Sequence, residues 1–455
     1  MSKPLLLFQA PVTTRSGYGN HSRDLVLSLI KSDKYDVHIM PINWGDCPMN
    51  ALEEGNKNHQ LIKDRLMSTP ELSRQPDINV QVTVPNEFQP IGKYNIGITA
   101  GIETTLCSAQ WIEGLNRMDL NIVPSEHSKK VFKDTVFTQK DEHGNVRAEL
   151  RCTKPVEVLF EGVDTEIYRR TKDIPDTIKK ELDNLNTDWN YLYVGHWLKG
   201  GLGQDRKDTG MLVKVFLETF KNQKNPPGLI MKTSSATFSI IDKYELIKKV
   251  KQIQSSIENV KTLPTIHILH GDLTDEEMNG LYNHEKVKAH ISFTKGEGFG
   301  RPLLEATTSE KIVIAPNWSG QTDFLNDKLS VMLPGKITQV DGSAVWEGVI
   351  EANSGWFTIN YPYASKTMKD VYKNHKNYKG RGETQGKENS KNFSLTKMDE
   401  IFDTMLDKYV PKFAQPVELK LPNLSGTLPK LSSKGELPKI KLPKKSKKLG
   451  ETANV

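Results

Sequence analysis

Short apolar runs alternate with longer stretches of helical spacing along most of the chain, and that order sets the fold class. Leu5-Leu6-Leu7-Phe8 is followed by a glycine-containing loop over 10–20, then by a segment from about 21 to 31 with Leu25, Leu29 and Ile30 at helical spacing, then by a second apolar run over 37–42. Strand, helix and strand in this order predict a parallel sheet with right-handed crossovers. Further strands are expected at 95–99, 120–124 and 156–160, and Ser125 is placed to cap a helix that runs through Val131. A second α/β series opens near 189–195 and continues as helix 209–220, strand 228–232, helix 244–260, and strands 265–269, 289–294 and 311–316. Four stretches read less regularly. Residues 50–80 are expected to be helical with a linker near Gln75 and Pro76, 138–151 to be a surface loop or hairpin, 331–356 to be irregular, and 373–391 to be a Gly/Lys/Asn-rich loop. A last helix is expected from about 392 to Tyr409.

At 455 residues the chain exceeds what one core holds, roughly 250–300 residues, so two core-bearing domains are expected. A hydrophobic fraction of 36% and a charged fraction of 26%, with no apolar run near the ~20 residues of a membrane span, argue against an integral membrane protein. The N-terminal apolar run reads as a first strand rather than a signal peptide. Cys47, Cys107 and Cys152 show no metal-ligand spacing, so they read as packing residues in a reducing, cytoplasmic setting. The net charge of +6 is uneven: residues 411–455 hold ten lysines and three acids, while the rest of the chain is near −1.

The sharpest chemistry lies at Glu297-Gly298-Phe299-Gly300-Arg301-Pro302-Leu303-Leu304-Glu305. A strand enters this loop and a helix leaves it, with Pro302 in the first turn. Free amides and the positive helix end favour an anion such as a diphosphate at that junction. Glu305, inside the helix, suits hydroxyls such as a ribose diol, and Glu297 could reach those of a second ring. A nucleotide-diphosphate sugar has both features. A lone glycine loop would be weak evidence; the acid spacing and the following 311–316 and Ser319-Gly320-Gln321-Thr322-Asp323 strengthen it.

The stretch from Glu297 to Asp323 resembles the donor-binding signature of retaining GT-B glycosyltransferases, specifically glycosyltransferase family 4 (glycosyl transferases group 1). The resemblance extends over about residues 5–410. It implies an α/β fold of two Rossmann-like domains facing a cleft. An acceptor domain over 1–170 would be completed by a crossover helix at 393–410, and a nucleotide-sugar domain would span 171–392. It implies that Glu297 contacts the donor sugar, Glu305 the ribose, and Gly298, Phe299 and Gly300 the diphosphate. Gly17 and Gly19 match a loop lying across the cleft from the diphosphate. Val194-Gly195-His196 stands where the family has Val-Gly-Arg, and Arg206-Lys207-Asp208 matches its Arg-Lys-Gly, so Lys207 and Arg206 become the leaving-group cations, with His196 and Lys232 as further donor-side candidates. Glu103 matches an acid near the cleft. His127, in a helix cap, is an acceptor-side candidate for which a structural role competes. Phe160-Glu161-Gly162-Val163-Asp164 resembles Asn-Gly-Val-Asp, and Leu395 stands where the family often has Trp.

The expected activity is transfer of a hexosyl or pentosyl group from a nucleotide-diphosphate donor, a UDP-sugar first and a GDP-sugar second, to an acceptor hydroxyl with retention of configuration and no metal requirement. A GT-B-fold sugar-nucleotide epimerase or hydrolase is the alternative. So is a nucleic-acid-associated protein, including one that glycosylates modified DNA bases. The segment 411–455, rich in Pro and Lys with recurrent Leu-Pro-Lys, is expected to be a flexible tail. Nucleic acid, an anionic membrane and a protein partner stay open as its contacts, beside a plain linker role.

Overall fold

The computed structural model of the chain describes residues 3–413 apart from 46, 198 and 236–238; most of the 411–455 segment therefore lies outside the described residues. The first sheet contains β1 (Leu5–Ala10), β2 (Asp36–Pro41), β3 (Ile78–Val82), β4 (Tyr94–Ile98) and β5 (Leu120–Val123). After the antiparallel hairpin of β6 (Val136–Lys140) and β7 (Val146–Arg151), β8 (Val156–Val158) completes it. Its strand order is β2-β1-β3-β4-β5-β8, with every pair parallel. Four helices accompany it: α1 (Gly17–Ser32), α2 (Lys57–Lys63), α3 (Ala109–Arg117) and α4 (Glu126–Asp134).

The second sheet begins after α5 (Asp176–Asp183) with β9 (Asn190–Val194), followed by α6 (Thr209–Phe220), β10 (Gly228–Lys232), α7 (Ile240–Ser255), β11 (Ile266–Leu269) and α8 (Asp275–Asn283). It continues through β12 (Val287–Ile291), α9 (Arg301–Thr308), β13 (Ile312–Pro316) and β14 (Val331–Leu333). Its order is β11-β10-β9-β12-β13-β14, again parallel throughout. A hairpin of β15 (Gly335–Gln339) and β16 (Gly355–Ile359) precedes α10 (Tyr361–Lys373), α11 (His375–Asn392) and α12 (Leu395–Tyr409). Helices cover both faces, so strand residues such as Phe8, Val80, Ile96, Leu192, Met231 and Ile314 are buried, which is why strands such as β1, β10 and β13 read as nearly continuous apolar runs.

Three expectations need correction. Residues 373–391 are not a loop but form most of α11. The stripe this helix buries is Gly382, Gln385, Gly386 and Asn389, small and polar instead of apolar, so hydrophobic periodicity does not register it. Gln385 donates to the Phe324 carbonyl at 3.0 Å, and Asn389 donates to the Thr307 hydroxyl at 3.0 Å. Residues 50–80 hold only the short α2 as helix, and their end supplies β3, an interior strand of the first sheet. Its sequence alternates apolar residues with amides, and the buried Asn79 amide accepts from Gln9 at 2.7 Å. The 331–356 stretch contributes β14 and much of the β15–β16 hairpin.

The chain returns at its end to the first sheet's side. The Val163 amide donates to the Phe393 carbonyl and the Leu395 amide to the Val163 carbonyl, both at 2.9 Å, and α12 then packs on α1. We call the two sheets with their helices the N-terminal and C-terminal lobes.

The glycines of α11 separate helix propensity from packing. A Cβ on the exposed Gly380 would meet nothing within 4 Å, whereas one on Gly386 would lie 2.5 Å from the Thr307 carbonyl oxygen. Gly380→Ala is expected to raise unfolding stability by about 0.5–1 kcal/mol and Gly386→Ala to lower it, measured by denaturant titration; equal gains at both positions would contradict the close packing of α11.

Candidate functional site

Loops leaving the carboxyl ends of the two sheets meet one another, the usual place for ligands in open α/β sheets. After β12 the chain runs through the glycine motif and enters α9 at Gly300, whose φ of 100° is left-handed and suits glycine. A Cβ on Gly298 would overlap the Ala100 carbonyl oxygen, and one on Gly296 would overlap that of Glu103. Both carbonyls belong to the loop after β4, so the lobes touch backbone to backbone. Ser125, the N-cap of α4, donates its hydroxyl to the Gly298 carbonyl at 2.5 Å, and the Glu126 amide donates to Asp323 at 2.9 Å. Among the described residues, the amides of Gly298, Phe299 and Gly300 have no acceptor.

Four charged side chains converge beside this contact. Lys207 lies 2.5 Å from Glu297, and Arg206 lies 3.4 Å from Glu297 and 3.3 Å from Glu103 of the opposite lobe. Arg206 also donates to the Gly296 carbonyl at 3.0 Å. Glu297 is only 9% exposed. Burial alone would raise its carboxyl, but Lys207 and Arg206 outweigh that and hold it below its ordinary value. Glu103, Arg206, Lys207 and Glu297, named from separate parts of the sequence, thus form one cluster.

Glu305 belongs to a second cluster one helical turn further on. Arg301 lies 3.1 Å from Glu305 and 2.6 Å from Asp24 of α1, and Tyr282 donates to Glu305 at 3.3 Å. Glu305 is 8% exposed, and burial pushes its carboxyl up to about 7 despite the Arg301 guanidinium. Glu161 is raised in the same way, to about 7, with Asp24, Glu305 and Glu297 reinforcing the effect of burial. Three carboxyls therefore share one guanidinium.

The remaining candidates are more dispersed. Gly17 and Gly19 start α1, where Ser16 caps the helix by accepting from the Gly19 amide at 3.0 Å and a Cβ on Gly19 would overlap the Thr14 carbonyl oxygen. The Tyr18 hydroxyl is 2.8 Å from that of Thr99 and accepts from the Ala100 amide at 3.0 Å, which ties this helix start to the loop touching Gly298. His196 is 3.1 Å from the Ser234 hydroxyl, and burial together with Lys207 and Arg206 lowers its pKa. His127 packs edge-on against Trp318 with ring centroids 4.6 Å apart, and burial takes it down to about 4. Lys232 donates to the Gly271 carbonyl at 2.6 Å and borders a cavity of about 320 Å³ that His270 and Gly271 also line. No group of three or more His, Cys, Asp or Glu side chains among the described residues could hold a metal ion, and none of the described helices is long and apolar enough to cross a membrane.

Sequence reasoning passed over Arg301, Asp24 and Tyr282, which surround Glu305. The signal available for Arg301 was a permanent charge inside an otherwise buried helix start, which needs an acidic partner.

No protein-family profile matches the chain, and no curated protein sequence does either. Solved structures do match in fold. HepE of Anabaena, solved in complex with UDP-glucose, aligns over 89% of this chain and 100% of its own with a TM-score of 0.56 and 14% identity. A glycosyltransferase from Rickettsia africae aligns over 91% and 100% with a TM-score of 0.58 and 14% identity. Sucrose-phosphate synthase from Thermosynechococcus elongatus aligns over 89% and 98% with a TM-score of 0.59 and 9% identity. The two parallel six-stranded sheets and these likenesses define the fold as GT-B, two Rossmann-like units facing one cleft.

The buried carboxyls around Arg301 carry a stability signature. Because the folded pKa of Glu161 lies above its unfolded value, the folded state holds a proton that the unfolded state has released between about pH 4.5 and 7, and stability falls as pH rises through that window. Glu161→Gln is expected to stabilise the protein by on the order of 1–3 kcal/mol at pH 8 and very little at pH 4.5, read from denaturant unfolding at the two pH values. A gain that does not depend on pH would contradict the assignment.

Proposed function

We propose that the chain is a retaining glycosyltransferase of the family 4 type that moves a sugar from a nucleotide-diphosphate donor to an acceptor hydroxyl. The observation that carries this reading is the junction itself: amides of the 298–300 loop without an acceptor among the described residues lie at the start of α9, and Arg206 and Lys207 stand beside the same loop. A diphosphate is the anion such a junction suits. UDP is the favoured nucleotide, since HepE is solved with UDP-glucose and shares the fold.

In this reading the diphosphate lies along the 298–300 loop with Gly17 and Gly19 on its other side. Glu305 accepts from the ribose hydroxyls, and Glu297 orients the transferred sugar. As the bond between the anomeric carbon and the diphosphate oxygen breaks, negative charge grows on the leaving oxygens, and Lys207 and Arg206 stabilise it, with His196 and Lys232 further out on the donor side. The acceptor hydroxyl attacks from the face the diphosphate leaves. Its proton passes to a phosphate oxygen, so one glycosidic bond forms, one glycosyl-phosphate bond breaks, and configuration is kept. Glu103 and His127 face the acceptor side. The N-terminal residues 1–170 with 393–410 would hold the acceptor, and 171–392 the donor.

Calorimetric titration with UDP-glucose, UDP-N-acetylglucosamine and GDP-mannose tests this. At least one is expected to bind, and Glu305→Ala to weaken binding about tenfold or more, as loss of a charged hydrogen-bond acceptor would. Folded protein that binds none of the three, or a Glu305→Ala variant that binds like wild type, would sink the proposal. Donor affinity is expected to fall as pH drops below about 7, because protonating Glu305 replaces a charged acceptor with a weaker neutral one, and to become nearly flat with pH in Glu305→Gln. Product analysis with donor alone separates transfer from hydrolysis or epimerisation.

A further inference from the structure

Behind Arg206 and Lys207 lies a buried ionic group that the reaction outlined above does not use. Lys295 is 1% exposed and Asp208 0% exposed, and their charged atoms are 3.6 Å apart. Lys295 also donates to the Thr358 hydroxyl at 2.9 Å, and the Tyr361 hydroxyl donates to Asp208 at 2.7 Å. The other Asp208 carboxylate oxygen is buried without a hydrogen-bond partner among the described residues. Burying such a pair costs several kcal/mol in desolvation, so it is weak evidence for stability and better evidence for a geometric task.

The backbone shows where that task lies. The Lys295 amide donates to the Arg206 carbonyl at 2.7 Å, and the Phe357 amide donates to the Lys295 carbonyl at 2.8 Å. Lys295 therefore joins three segments: the turn carrying Arg206 and Lys207, the glycine-motif loop two residues before Glu297, and β16. Asp208 ends the same turn at φ 52°, a left-handed conformation that costs a non-glycine residue roughly 1–2 kcal/mol. A carboxylate held there by Lys295 and Tyr361 fixes a backbone that would otherwise relax. Asp205, also buried, accepts from the Thr209 amide at 3.2 Å and anchors the other end of the turn.

We propose that Lys295 and Asp208 are a positioning pair that aims Lys207 and Arg206 at the donor diphosphate. Neither touches the reacting atoms; they act through the 205–208 turn. The inference rests on the proposed donor site and adds to it the residues that determine whether the cations are preorganised. It accounts for a lysine buried behind the glycine motif and for an aspartate in a left-handed position that glycine would fill without strain.

Full-length wild type, Lys295→Met, Lys207→Ala and the double variant are titrated with UDP-glucose and with uridine. Lys295→Met is expected to weaken UDP-glucose binding about tenfold and to leave uridine binding unchanged, because only the diphosphate uses the turn. In the double variant the loss is expected to match that of Lys207→Ala alone, the non-additivity that marks action through Lys207. Should Lys295→Met fail to fold, Tyr361→Phe removes one hydrogen bond from Asp208 and is expected to give about a two- to fivefold loss with the same selectivity. Undiminished UDP-glucose binding in the folded variant, equal weakening of both ligands, or additive losses would overturn the positioning role while leaving the donor site standing. Wild type that binds uridine but gains nothing from the diphosphate and sugar would overturn both.

Discussion

Everything at the cleft depends on backbone meeting backbone at Gly296 and Gly298. Side chains there would collide with the carbonyls of Glu103 and Ala100, so the lobes could not close to the separation seen. That approach brings Glu103 within 3.3 Å of Arg206, lets Ser125 reach the Gly298 carbonyl, and completes a cluster no single lobe contains. Gly101 adds to it from the other side, at φ 89° with room for a Cβ taken by the Ser128 hydroxyl. Glycine serves two purposes at this boundary: it permits a left-handed helix start at Gly300 and it leaves out atoms elsewhere.

Charge follows a consistent arrangement around that contact. On one side Arg206 and Lys207 face Glu103 and Glu297, two cations against two carboxylates. On the other, Arg301 faces Asp24, Glu161 and Glu305, and burial, reinforced by neighbouring carboxylates, raises Glu161 and Glu305 toward neutral pH. An anionic group arriving at the first cluster competes with carboxylates for cations already desolvated. A polyol arriving at the second meets acceptors whose proton content changes near pH 7. In the proposed reading the two clusters serve different parts of one ligand, and the buried Lys295–Asp208 pair lies behind the first of them alone.

How much of this the sequence discloses depends on whether the information is local. Strands such as β1, β9 and β13 are apolar on both faces and stand out as runs, and the glycine motif carries its strand, loop and helix within a few residues. The GT-B fold was legible from that alternation and from the resemblance at Glu297 to Asp323. What escaped is polar and buried. β3 hides its Asn79 amide against Gln9 and Asn95 and so alternates where a continuous apolar run is expected of an interior strand, and α11 packs through glycine, glutamine and asparagine and shows no apolar stripe. Lys295, Asp208 and Tyr361 are far apart along the chain, and each looks like an ordinary surface residue until the fold brings them together. Glu305 was named from its spacing, but its neighbours Asp24 and Tyr282 come from other elements and leave no mark beside the motif.

The chain crosses between the lobes twice, once after β8 and once before α12, and the two crossings are hydrogen-bonded to each other at Val163, Phe393 and Leu395. Gly162 presses so closely on Leu395 that a Cβ there would lie 2.8 Å from its Cα. A paired ribbon restricts how the bodies it joins can shift past one another more than a single tether would. The faces bearing Arg206 and Glu103, 3.3 Å apart, are held in one register by that double connection.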